Sequence, residues 1–119
     1  MSSLILVVDD DDFIREVLRE MLSEYDLVEA DTGGQAVKVF REKHPRIVLM
    51  DILMPDMDGI EATRRILQID DTAIVLGISA FAAVKGEQML KAGAREILSK
   101  PVRMAELQKK IEKYLAERK

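Results

Sequence analysis

The stretch IVLMDILMPDMDG, Ile47 to Gly59, decides the fold. An apolar run from Ile47 to Met50 has no polar alternation and ends on one carboxylate, Asp51. Such a run reads as a strand buried on both faces, which occurs where helices cover both sides of a parallel sheet. Pro55 and Gly59 then turn the chain away. The segment therefore describes a buried strand that delivers one aspartate to a sheet edge.

Outward from there the same alternation repeats. LILVV (Leu4 to Val8), RIVLM (Arg46 to Met50) and AIVLGI (Ala73 to Ile78) are buried strands, and LVEA (Leu27 to Ala30) and EIL (Glu96 to Leu98) are shorter ones. Between them lie helical spacings. Phe13, Ile14, Val17, Leu18, Met21 and Leu22 form one apolar face, and Ala36, Val37 and Phe40 a second. Ile60, Thr63, Ile66 and Leu67 form a third. Ala83 to Gly93 is a weaker helix with Gly86 inside it and Gly93 as its cap. Leu107, Ile111, Tyr114 and Leu115 line the last helix from Met104 on, where Glu106 and Lys110 are spaced as an i,i+4 pair. Asp11 or Asp12 caps the first helix, and Asp56 and Asp58 read as turn residues. Five βα repeats predict an α/β fold, doubly wound, with a five-stranded parallel sheet in the flavodoxin-like order 2-1-3-4-5.

Composition narrows the rest. The 119 residues fit one domain without disulfide staples, and there is no cysteine. The net charge of −4 disfavours nonspecific binding to nucleic acid or anionic membrane, and the absence of tryptophan argues against base-stacking platforms. No apolar run reaches membrane-spanning length, and the N-terminus lacks the basic start of a signal peptide. A cytoplasmic monomer is expected. His44, beside Pro45, reads as a surface residue, and the methionines mostly as core filler.

The polar residues collect where the strands stop. The first strand ends in Asp9 and Asp10, the third in Asp51 and the fourth in Ser79, and the fifth leads through Ser99 to Lys100. In an open α/β sheet these ends share one edge, and ligands bind there at the switch point. Three clustered carboxylates repel one another, and a hard divalent cation relieves them. Mg²⁺ takes one or two carboxylates, keeps waters and contacts phosphate oxygens; Mn²⁺ has similar needs. A lysine and a hydroxyl beside it suit phosphoryl oxygens, so the set suits phosphoryl transfer to a carboxylate.

VVDDDD, DILMPDMDG, ISA and SKP, in this order and spacing, resemble the receiver domain of two-component response regulators, along the whole chain. The resemblance implies that Asp51 accepts a phosphoryl group from a histidine kinase or a histidine phosphotransfer protein. It implies Mg²⁺ held by Asp10, Asp51 and the backbone carbonyl of Leu53, with Asp9 acting partly through water. Ser79 would hydrogen-bond the phosphoryl group and Lys100 would pair with it. It also implies a cis Lys100–Pro101 bond and signalling through the fourth helix, fifth strand and fifth helix. Gly59 is expected in a turn conformation that other residues avoid. Output would be contact with a downstream protein target or onward phosphorelay, since no effector domain fits within residues 1–119.

Ile97 stands where most receivers carry Tyr or Phe, three residues before the lysine, so the usual aromatic switch is not expected there; Phe81, two residues after Ser79, is expected to take over some of the aromatic role. Leu53 and Phe81, both apolar, flank the acceptor and offer no hydrogen bond to an attacking water. An aspartate-nucleophile phosphatase needs a second aspartate at position 53. A flavodoxin needs a Ser/Thr/Gly-rich loop where four aspartates stand. The alternative is a non-phosphorylated pseudo-receiver that acts as an interaction module, but such domains usually lose the acceptor or an acidic-pair residue.

Overall fold

The computed structural model describes residues 4–55, 57–80 and 82–117. Asp56 and Phe81 lie outside them. Five strands and five helices alternate: β1 Ile5–Val8, α1 Asp12–Met21, β2 Leu27–Ala30, α2 Gly33–Lys43, β3 Ile47–Asp51, α3 Gly59–Ile69, β4 Ile74–Ser79, α4 Ala82–Ala92, β5 Glu96–Ser99 and α5 Met104–Leu115. All strand pairs are parallel, in the order β2-β1-β3-β4-β5. The doubly wound α/β expectation is met.

The central strands are wholly buried because each face meets its own helix layer. Leu6, Val8, Val48, Met50 and Val75 point to one side, where Phe40, Ile66 and Met89 of α2, α3 and α4 cover them. Ile5, Val7, Ile47, Leu49 and Leu76 point to the other, under Leu18 of α1, Leu22 at its end, and Leu107, Ile111 and Tyr114 of α5. The period-two alternation of the pleat thus divides one continuous apolar run between two cores.

Local chemistry sets the helix ends. Asp11 caps α1, its side chain accepting from the Phe13 amide at 2.9 Å. Thr32 caps α2 by accepting from the Gln35 amide, and Gln35 reaches back to the Asp31 amide, both at 3.0 Å. His44, exposed as expected, closes α2 in the left-handed region at φ 49°. Gly93 ends α4 at φ +121°.

Three expectations change. Gly59 is not in a left-handed turn; it is the first residue of α3. Glycine is needed there for another reason: a Cβ would stand 2.2 Å from the Asp51 carbonyl oxygen. Asp58 is more than a turn residue, since it caps α3 by accepting from the Glu61 amide at 3.0 Å. Lys110 does not pair with Glu106 one turn back. It reaches Glu96 of β5 at 2.7 Å, and Glu96 also takes Lys113 and the Tyr114 hydroxyl. Partial burial works against the Glu96 charge, but hydrogen bonds from Lys110, Tyr114 and Lys113 pull its carboxyl down to about 2.

Candidate phosphoryl and metal site

The sheet order places β1 beside β3 and β3 beside β4, so their C-terminal ends meet. Asp51 is the last residue of β3, in register with Ile78, and Ser79 closes β4 opposite Ser99. Asp9 and Asp10 follow β1 directly, and Lys100 follows β5. Backbone bonds continue past the strands: the Asp9 amide donates to Ala30 at 3.2 Å and the Lys100 amide to Ser79 at 3.0 Å. These polar residues thus leave the sheet while still tied to it. The Lys100–Pro101 bond is cis, as the resemblance implied.

Carboxylate oxygens of Asp9, Asp10 and Asp51 lie within 4.8 Å of one another. Lys100 Nζ donates to Asp9 Oδ2 at 2.9 Å and stands 3.6 Å from Asp51 Oδ1. Asp9, Asp51 and Ser79 are buried, whereas Asp10 is exposed. Burial and the neighbouring Asp9 charge push the Asp51 carboxyl up to about 6; Lys100 opposes this and Asp10 adds to it. Burial disfavours the Lys100 ammonium, but Asp9 and Asp51 hold its pKa above the usual lysine value.

This donor set fits a hard divalent cation. Three oxygens converge, one lysine leaves their repulsion uncompensated, and Asp10 opens the cluster to water. The three carboxylates are not equivalent. Asp9 is already committed: Oδ1 accepts from the Asp11 amide at 2.9 Å and Oδ2 from Lys100 at 2.9 Å. Asp10 has the open solvent side.

Leu53 is 41 % exposed in the loop after β3. That loop is held by close backbone packing: a Cβ on Gly33 of α2 would meet the Met57 carbonyl oxygen at 2.3 Å. Ile97 lies between β4 and α4. A Cβ on Gly77 would come 2.9 Å from its Cδ1, and one on Gly86 would come 3.7 Å from its Cγ1. Gly77 therefore makes the room that this branched side chain fills, while a methyl group at Gly86 would only touch it.

Sequence reasoning missed Arg15. It donates from NH1 to the Asp9 carbonyl, from Nε to Glu29 of β2 at 3.2 Å, and from NH2 to Asp12. Its side chain is 14 % exposed, low for an arginine on the outer layer. No local motif announces a side chain that reaches three elements.

The chain matches the family model described as the response regulator receiver domain over residues 5–112. It is 41 % identical to the chemotaxis protein CheY of Halobacterium salinarum, covering 85 % of this chain and 87 % of that one. With the chemotaxis protein CheY of Bacillus subtilis the identity is 37 %, over 97 % and 99 % of the two chains. Among solved structures it is similar to the receiver domain of a sensor histidine kinase from Pseudomonas aeruginosa, crystallised with a magnesium ion coordinated in the active-site cleft. That likeness has TM-score 0.90 and 29 % identity, over 98 % of this chain and 100 % of the other.

Proposed function

The chain belongs to the response regulator receiver domain family, and from that premise we propose that it is a signalling phosphoacceptor whose acceptor is Asp51. The observation that carries this reading is the convergence of Asp9, Asp10 and Asp51 within 4.8 Å, with Lys100 against two of them. The donor is a phosphohistidine on a histidine kinase or phosphotransfer protein. A carboxylate oxygen of Asp51 forms a bond to phosphorus as the phosphorus–nitrogen bond breaks. The electron pair returns to the imidazole, which takes up a proton.

Asp10, Asp51 and the Leu53 carbonyl would hold Mg²⁺ or Mn²⁺, with Asp9 acting partly through water. When bound, the ion neutralises charge on the transferring phosphoryl oxygens. Lys100 keeps its proton and pairs with the same oxygens. Ser79, at the end of the neighbouring strand, donates its hydroxyl to the phosphorylated product. β3 fixes Asp51 so that its oxygen needs little reorganisation to attack.

The phosphoryl group changes the balance between Lys100, Ser79 and Asp51, and a downstream protein reads the result on the face of α4, β5 and α5. No described helix is long and apolar enough to cross a membrane. A cytoplasmic monomer that turns over no free substrate is part of the same reading. The test is mass spectrometry after incubation with acetyl phosphate and Mg²⁺. A phosphoryl-mass adduct that is lost in Asp51→Asn and in EDTA is expected. An adduct that survives in Asp51→Asn refutes the assignment.

A further inference from the structure

We propose that Arg15 is a positioning residue for the metal site: it sets the orientation of the Asp9–Asp10 peptide and thereby the affinity for Mg²⁺. The inference rests on the reading of Asp10 and Asp51 as the metal carboxylates. The Asp9 carbonyl and the Asp10 amide belong to one planar peptide unit. A donor that anchors that carbonyl therefore fixes the plane from which the Asp10 side chain departs. Arg15 NH1 is that donor.

The guanidinium is itself held from both sides. Nε meets Glu29 Oε1 at 3.2 Å, and NH2 pairs with Asp12 at the start of α1. Glu29 is in turn steadied by Arg19, whose Nε donates to Oε2 at 2.7 Å. Hydrogen bonds from Arg19, against some burial, keep the Glu29 carboxyl below the usual range. A planar fork with fixed donor directions can serve the segment after β1, β2 and the start of α1 at once, which a lysine cannot. Lys100 and the Asp11 amide lock the Asp9 side chain, and Ala30 takes its backbone N–H. Arg15 supplies the remaining restraint, on the carbonyl that leads into Asp10. Partners one shell behind metal ligands typically alter affinity by about 10- to 100-fold.

Charge alone predicts the opposite sign. Arg15 is a cation near a cation site, so deleting it should tighten Mg²⁺ binding if its influence is Coulombic. A lysine at this position keeps the charge and loses the fork. The experiment is isothermal titration of Mg²⁺ into wild type, Arg15→Lys, Arg15→Ala, Glu29→Gln and Asp10→Ala, with thermal melts in EDTA to establish folding. Arg15→Lys should raise the Mg²⁺ Kd about tenfold. Arg15→Ala should also bind more weakly despite one positive charge fewer. Glu29→Gln, which slackens the hold on Arg15, should show a smaller change in the same direction. At saturating Mg²⁺, phosphorylation of Asp51 by acetyl phosphate should return to within about twofold of wild type, since the reacting groups are untouched. Folded Arg15→Lys with wild-type or tighter Mg²⁺ affinity overturns the proposal. If Arg15→Ala does not fold, the lysine and glutamine variants decide alone. If wild type binds no Mg²⁺, or Asp10→Ala binds it normally, the metal reading itself fails and this inference with it.

Discussion

Replacing Asp51 by Asn should make the metal-free protein more stable, although it removes the proposed phosphoryl acceptor. The Asp51 carboxyl is held at about 6 against a usual 3.8, so it binds its proton more tightly in the folded chain than in the unfolded one. Its charge therefore costs folding free energy above about pH 6, progressively less as pH falls, and almost nothing below the unfolded value. Proton binding tightened roughly a hundredfold corresponds to about 3 kcal/mol. The open, wet side of the site screens part of this, which leaves about 2 kcal/mol near pH 8. For a chain of this length that is a rise in Tm of roughly 5–10 °C. At pH 4 most of the difference should be gone, to about 0.6 kcal/mol or less. The assay is paired thermal melts of wild type and Asp51→Asn in EDTA between pH 4 and 8, repeated with Mg²⁺. The ion should raise the wild-type Tm more than that of the variant, because it relieves a repulsion the variant lacks. An Asn variant that melts at or below wild type at pH 8 refutes the reasoning. So does an advantage that is the same at pH 4 and pH 8.

Gly59→Ala should destabilise by at least about 2 kcal/mol in urea melts, because the new methyl group meets the Asp51 carbonyl and neither backbone can yield. Gly77→Ala should cost about 1–3 kcal/mol, measured the same way, since the new methyl group would stand 2.9 Å from Ile97 Cδ1 and 3.2 Å from Met89 Cγ. Glu96→Ala should lower stability by about 1–2 kcal/mol, through loss of the Tyr114 and Lys110 partners, while the Mg²⁺ Kd stays unchanged. Leu53→Asn should speed decay of phosphorylated Asp51 severalfold in a single-turnover assay, because an amide can hold the attacking water and Leu53 cannot.

The strands are legible in the sequence because the buried runs carry no polar residue until they stop. Hydropathy ends three of them one residue short, at Met50, Ile78 and Leu98, because the next side chain is polar. Asp51, Ser79 and Ser99 in fact keep their places in the ladder. Ladder bonds belong to the main chain, and a side chain at the sheet edge can face solvent chemistry without breaking them. The acidic cluster and Lys100 follow from sheet order alone, because parallel strands send all their C-terminal ends to one edge. What stays hidden depends on reach through space. Lys110 passes over Glu106 for Glu96 on another element, and Arg15 touches β2 and the residue that follows β1 from a helix. Gly59 stands out in the sequence, but its cause is an approaching carbonyl and not a dihedral angle.

The division of the interior into two unconnected cores has a thermodynamic consequence. Val7 and Val8 are chain neighbours, yet one lies in the compartment of α1 and α5 and the other in that of α2, α3 and α4. Free-energy changes from substitutions on opposite sides of the sheet should add, whereas those sharing a side should couple. The sheet is a partition between the two compartments, and its polar rim borders both. Asp9, Asp51, Ser79 and Lys100 occupy that rim. A phosphoryl group on Asp51, as proposed, would stand where the two compartments meet, whereas a substitution inside either one meets only its own side.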